Sequence, residues 1–258
     1  MYLLTQNRKL QKSAGLKDNW QIMGLSLSPH NSSGRQVCKY ATSCTEFCVL
    51  EHVGHSVMKS VKEARQRKTD WFFDDRTWFK EALGLDVAEH QRRCEKTGVR
   101  CGVRLNVGSD LPWERIFPEL FERFPGVCFY DYTKWPNRIV PNNYHLTYSV
   151  SERDRKTDNK HVLRYLEAGS NVSIVCNVEY NPAHHRIGKL QQSITIGGKR
   201  YKTVDGDRHD LRIPETDGRG RVVLLRYKGS LKSRNEAIKS GFCWSLPRSP
   251  GVQAPILN

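Results

Sequence analysis

Short apolar runs rich in β-branched and aromatic residues recur along the chain, each followed at once by a polar loop, and helical patterns fill several of the gaps. The runs cover residues 21–27, 102–107, 127–132, 144–149, 172–178 and 221–227, with a further candidate at 242–246. Runs of this length and composition predict strands. Between them, SVMKSVKEARQRKT sets Val57, Val61 and Ala64 on one helical face opposite basic residues. Its basic end suits the negative end of a helix dipole. DDRTWFKEAL offers Asp74 and Asp75 as N-caps, with Trp78, Phe79, Ala82 and Leu83 as the stripe that faces the core. LPWERIFPELFERFP and HVLRYLEAG predict further helices, the second closed by Gly169. In QQSITIGGKRYKTV the pair Gly197-Gly198 lies between alternating residues and predicts a two-residue hairpin turn.

Strands that alternate with helices imply parallel strands joined by crossovers. The expected fold is therefore α/β, a parallel-strand partial or irregular (β/α) barrel like a TIM barrel, with a β-hairpin insertion. Its expected organisation is an N-terminal arm over 1–20, a single α/β domain over 21–246 and a flexible tail, PRSPGVQAPILN, whose residues 247–258 follow that domain. In such folds chemistry gathers beyond the C-terminal ends of the strands. GVRLNV leads into GSD, VCFYDY into TKWPNR, YHLTYS into VSERDR, YKTV into DGDRHD and VVLLRY into KGS. Five polar loops on one rim are expected to line one pocket.

Composition narrows the partners. No apolar run approaches the ~20 residues of a membrane span, and the N-terminus lacks a secretory pattern, so a soluble protein of the cytoplasm is expected. The net charge is +15, from 42 Lys and Arg against 27 Asp and Glu. A field of that sign attracts polyanions such as nucleic acid. Candidate contacts are Arg65, Arg67 and Lys68 on the helix after the cysteines, with Trp135 and Arg138 in TKWPNR. The same residues also read as a helix end that complements its own dipole and a braced turn.

The segment VCKYATSCTEFCVLEHVGH crowds Cys38, Cys44 and Cys48, three of the eight cysteines, into eleven residues. A reducing compartment disfavours disulfides and leaves metal chemistry. Zinc is one reading, with His52 or His55 as the fourth ligand. A 4Fe-4S cluster is the other, because its three thiolates sit on separate irons and tolerate the uneven spacings of five and three residues. The fourth iron is then either open to a chelating small molecule or closed by Cys176 or Asp110. Cys94, Cys101 and Cys128 are expected away from that rim.

A cluster-bearing loop after the first strand of a parallel α/β barrel resembles the radical S-adenosylmethionine enzymes, whose common cysteine spacing is three then two residues. The resemblance implies S-adenosylmethionine as a cofactor, with Phe47 against the adenine and Asn106, Gly108 and Ser109 of NVGSD near its amino group. More closely, EARQRKT, VRLNVGSDLPWE, FYDYTKWPNR, NYHLTYSVSE and VDGDRHDLR resemble the phage-encoded gene product eighty-eight family, over roughly residues 25–241. That resemblance implies a phage origin and a life in the host cytoplasm, and it brings no established reaction. Candidate proton-transfer or substrate-positioning residues are Asp110, Asp131, Lys134, Asp205 and Asp207. His184 and His185 beside Pro182 read as a solvated loop. The expectation is a cluster-binding protein with a radical S-adenosylmethionine-like site and an unknown substrate. The alternative is a non-enzymatic cluster protein that binds nucleic acid through its basic surface.

Overall fold

The computed structural model describes residues 2–16, 19–178, 180–181 and 186–246. The chain starts with β1 (Leu4–Thr5) and the short α1 (Arg8–Gln11), whose Asn7 cap accepts from the amides of Lys9 and Leu10. β2 (Trp20–Leu25) leads into the cysteine segment, which contains α2 (Val49–His52) and ends in two long helices, α3 (Lys59–Asp74) and α4 (Arg76–Thr97). β3 (Arg100–Arg104) is followed by α5 (Trp113–Ile116) and α6 (Glu119–Arg123), then by β4 (Cys128–Thr133) and β5 (Tyr144–Ser149). α7 (Glu152–Lys156) and α8 (Lys160–Glu167) cross to β6 (Val172–Cys176). After a small ribbon of β7 (Tyr180–Asn181) and β8 (Arg186–Ile187) come the hairpin β9 (Ser193–Ile196) and β10 (Lys199–Asp205), α9 (Pro214–Asp217), β11 (Val222–Arg226) and α10 (Leu231–Lys239).

Nine strands form one sheet in the order β1-β2-β3-β4-β5-β6-β11-β10-β9. All neighbours from β2 to β10 pair in parallel, and an antiparallel strand flanks them at each end. Strands β2 to β6 lie side by side in chain order, the arrangement that right-handed crossovers produce when they stay on one face. The expected barrel does not close. β1 and β9 are left as edges, because the parallel run stops at antiparallel partners that no further strand among the described residues bridges. The hairpin turn is as expected, with Gly197 and Gly198 both at positive φ, 56° and 77°.

The core explains the remaining differences. Phe72, Phe79, Leu83 and Val87 of α3 and α4 pack on Val103 and Phe129 of the sheet. On the other face, Trp20, Ile22 and Tyr130 meet Leu10, Leu211 and Ile213. The first residues are therefore no free arm: Leu3, Leu4 and Leu10 are buried, and the amides of Leu3 and Leu4 donate to Asp86. In α4 the Asp75 cap accepts from the Trp78 amide as expected, while the Trp78 ring turns outward and lies edge-on to Trp71. In α3 the buried side is Arg65, Lys68, Thr69 and Phe72, whereas Val57 is exposed. Polar partners chose that face, since Lys68 Nζ donates to the buried Leu3 carbonyl at 2.7 Å. Pro118 divides the expected single helix into α5 and α6. Residues 242–246 contribute only an isolated bridge between Trp244 and Cys176. The tail from 247 on, His184 and His185 lie outside the described residues. Among the described residues no helix is long and apolar enough to cross a membrane.

Candidate functional site

The loops that leave the C-terminal ends of β2, β3 and β4, with the end of β5, enclose a cavity of about 190 Å³. Cys38, Cys44 and Cys48 line it together with Asn106, Gly108, Ser109, Asp110 and Lys134. Three strand ends thus bring together residues that lie nearly a hundred positions apart in sequence. Arg104, Tyr132 and His30 also line it and went unrecognised in the sequence. Arg104 carried a readable signal, a charge inside an apolar strand.

The cysteine loop is fastened at several points. The Asp110 amide donates to the Val37 carbonyl at 2.8 Å, tying it to the loop after β3. Glu152 at the start of α7 accepts from Thr42 Oγ1 and from the Ser43 amide. Phe47 is buried between Tyr227 and Phe242, with ring centroids 6.2 and 5.6 Å away. It anchors the loop to the C-terminal part of the fold and does not line the cavity, as an adenine-facing ring would. Gly108 is required by a different approach than one to a ligand. A Cβ there would stand 2.5 Å from the Leu27 carbonyl oxygen and 2.7 Å from Leu50 Cδ1. Gly108→Ala is expected to force the two loops apart and cost about 1–3 kcal/mol, measured by denaturant unfolding; an unchanged midpoint would show that the loops are not in contact.

The thiols of Cys38 and Cys48 sit in a setting that disfavours charge unless a metal is bound. Burial pushes Cys38 up to about 12, against a hydrogen bond from the His30 amide and with Asp110, Cys44 and Cys48 adding to the rise. Burial also raises Cys48, while amides of Leu50 and Glu51 donate to its sulfur. Metal binding here must therefore release protons. Amide donors aimed at two of the three sulfurs suit thiolate ligands. Beside Cys48 lies the buried guanidinium of Arg65, one of whose nitrogens donates to the Ser56 carbonyl at 2.6 Å, while Nε and Nη1 have no hydrogen-bond partner. An anionic thiolate-bound group next to it would supply what those atoms lack.

Sulfur spacing bears on a single-ion reading. Zinc ligands at ~2.3 Å in a tetrahedron place sulfurs ~3.8 Å apart. The sulfurs of Cys38, Cys44 and Cys48 do not all lie within 4.8 Å of one another, and neither His52 nor His55 joins them in so tight a group. A single ion on these three sulfurs would need them drawn closer together than they stand. His30, the imidazole lining the cavity, has Nε2 3.0 Å from Glu51 and Nδ1 2.8 Å from Asn31.

Behind the cavity, Asn106 is a hub. Its Oδ1 accepts from Ser109, Trp113 and the Leu111 amide, and its Nδ2 donates to Asp131 and the Leu111 carbonyl. The Asn106 and Ser109 side chains are thus spent on holding the loop. Asp131 is fully buried, accepts from Tyr144 Oη and the Asn106 amide, and is pushed up by burial to about 7. Asp110 accepts from Thr133 Oγ1 and the Lys134 amide and lies 3.6 Å from Arg138, so both its oxygens are engaged. Lys134 Nζ stands 3.4 and 3.3 Å from the carbonyls of Ser149 and Val150.

Other expected residues lie elsewhere. Cys176 is buried in the core around β6 and does not reach the cavity. Asp205 and Asp207 pair with Arg226 and, for Asp207, with Lys228, so the loop after β10 braces β11 and does not line the cavity. Of the expected nucleic-acid contacts, Arg65 and Lys68 are buried, and the Arg138 side chain is enclosed against Glu114. They form no surface stripe because each is drawn inward by a carbonyl or carboxylate. Arg67 is exposed. Trp135 is half-buried, 4.8 Å from the Tyr40 ring and flanked by Lys39 and Arg115.

A family model described as Gene product 88 matches residues 1–246. No curated protein and no solved structure matches the chain.

Proposed function

The chain belongs to the Gene product 88 family, and from that premise we propose that it binds a 4Fe-4S cluster on Cys38, Cys44 and Cys48 and carries out radical S-adenosylmethionine-like chemistry on a substrate that enters the same cavity. One observation carries the reading. Three thiols converge on one cavity at the end of the first parallel strand, and among the described residues no fourth cysteine lines it. The in-order run of β2 to β6 supports the kinship with partial barrels. A cluster closed by a protein ligand is less well supported, since Cys176 is turned into the core and Asp110 is already bonded through both oxygens.

When bound, such a cluster would supply the electron that reductively cleaves S-adenosylmethionine. The chain's own residues set the conditions. Cys38, Cys44 and Cys48 would hold three irons, and Arg65 offers positive charge beside Cys48. The Leu50 and Glu51 amides steady that sulfur. Lys134 presents an ammonium group at the cavity wall, where an anionic part of a cofactor or substrate can meet it. Asn106 and Asp131 hold the loop after β3 in shape, and their role is positioning.

The test is incubation of the anaerobic, reduced protein with S-adenosylmethionine. Formation of 5′-deoxyadenosine and methionine is expected, even without substrate, and a change in the electron paramagnetic resonance of the reduced cluster should precede it. A cluster whose spectrum ignores S-adenosylmethionine and gives no cleavage would remove the enzymatic part of the proposal and leave the cluster.

A further inference from the structure

A second group of metal-binding side chains is buried away from the cavity, where α4 crosses the beginnings of β2 and β3. His90 and Cys94 lie one turn apart on the inner face of α4, and Cys101 is the second residue of β3. All three are buried, and one ligand atom from each falls within 4.8 Å of the others. Gln21, directly opposite Cys101 in the β2–β3 register, brings its Oε1 to 3.6 Å from Cys94 Sγ. His90 Nδ1 is 3.8 Å from the same sulfur.

These separations match a tetrahedral ion. With ~2.3 Å to sulfur and ~2.0–2.1 Å to nitrogen or oxygen, neighbouring ligand atoms stand ~3.5 Å apart. The imidazole is also prepared. His90 Nε2 lies 3.2 Å from the Gly102 carbonyl, which can only accept, so Nε2 carries the proton and Nδ1 keeps its lone pair. Orientation of a ligand histidine by a backbone carbonyl is the usual outer-shell arrangement. Charge fits burial as well, since two thiolates cancel a divalent cation and leave no net charge inside the core. Two sulfurs, one imidazole and an amide oxygen favour zinc among the divalent ions.

We propose that His90, Cys94 and Cys101, with Gln21 as fourth ligand, hold a zinc ion that clamps α4 to β2 and β3. Its role is structural, because His90, Cys94 and Cys101 are buried and, with Gln21, four protein atoms would fill the tetrahedron. The site is independent of the one formed by Cys38, Cys44 and Cys48.

The test uses the full chain with Cys38, Cys44 and Cys48 all changed to Ala, so that only the second site can load. After gel filtration this protein is expected to carry one zinc per chain. Replacement with cobalt should give sulfur-to-cobalt charge transfer in the near ultraviolet and the strong visible bands of four-coordinate cobalt. Adding Cys101→Ser, which keeps the side-chain shape, should weaken zinc binding at least tenfold. Background protein without stoichiometric zinc, zinc retained unchanged by the Cys101→Ser protein, or a disulfide between Cys94 and Cys101 in place of metal would each overturn the proposal. Should Cys101→Ser not fold, the background protein alone decides: a strong chelator must lower its thermal midpoint, and an unmoved midpoint overturns the zinc clamp.

Discussion

Anaerobically purified protein is expected to be brown, with iron and sulfide in equal amounts and broad absorption near ~400 nm from sulfur-to-iron charge transfer. Cys38→Ala, Cys44→Ala and Cys48→Ala should each bleach it, whereas Cys176→Ala should leave the band in place. The contrast follows from position. The first three line one cavity, and Cys176 is buried in the core around β6. The size of the effect follows from chemistry. In a bound 4Fe-4S cluster each thiolate would hold its own iron, so loss of one would open the cluster to solvent and to oxidation instead of weakening it by degrees. The pH dependence has a fixed sign. Burial raises the thiols of Cys38 and Cys48, so assembly must displace protons and proceeds further as pH rises. Zinc found in the preparation does not decide this point; protein without iron and sulfide after anaerobic reconstitution does, and it would end the cluster reading.

Asp210→Asn is expected to destabilise the fold by about 3–5 kcal/mol, the usual cost of leaving a buried charge without its partner. Asp210 is fully buried beside Tyr130. It accepts from Tyr130 Oη at 2.7 Å, and pairs with Arg104 at 2.9 Å and Lys9 at 3.1 Å. Burial works to raise its carboxyl, but Arg104 and then Lys9 and Tyr130 outweigh that and hold it well below the usual carboxylate range. Because the folded value is depressed, the stabilisation is fully present above the unfolded value of about 3.9 and is lost as pH falls through the folded one. The gap between parent and variant, measured by urea unfolding, should therefore be wide at pH 7 and shrink in acid below about pH 4. A loss under about 1 kcal/mol, or a gap constant down to pH 2, would show that the network does not carry this load. Since Arg104 also lines the cavity, the variant should bind the cluster less firmly.

Much of the framework was legible in the chain. The strand at 144–149 matches its predicted bounds, and the other five main strands fall within two to three residues of theirs at either end. Where a strand ends before its predicted bound, one reason recurs. Apolar sequence continues into the rim loops, as at Leu27 and Val107, after pairing has stopped. The hairpin at Gly197-Gly198 and the Asp75 cap were readable because each depends on a local backbone conformation or a single side chain.

The candidate site was legible in part. Cys38, Cys44, Cys48, Asn106, Gly108, Ser109, Asp110 and Lys134 come together because they follow parallel strands in one sheet, and strand order could be inferred from alternation. The roles within that set were less visible. The Asn106 and Ser109 side chains line the cavity but are committed to holding their own loop, and Gly108 makes room for Leu27 and Leu50. The placement of Arg65, Lys68 and Arg138 could not be read at all. A basic residue on a helix looks the same in sequence whether water or a buried carbonyl receives it.

By itself the sequence determined what is local and periodic: the α/β alternation, the caps and the glycine turn, the three thiols on one short segment and a large positive charge. These follow from backbone preferences and spacing, which act within a few residues. The tertiary structure alone decided what depends on partners far along the chain. It left the sheet open between β1 and β9, folded the first residues into the core, withdrew Asp205, Asp207 and Cys176 from the cavity, and brought His90 and Cys94 against Cys101 and Gln21. Burial energies and charge pairing are set by which surfaces meet, and that is a property of the assembled sheet and helices rather than of any one segment.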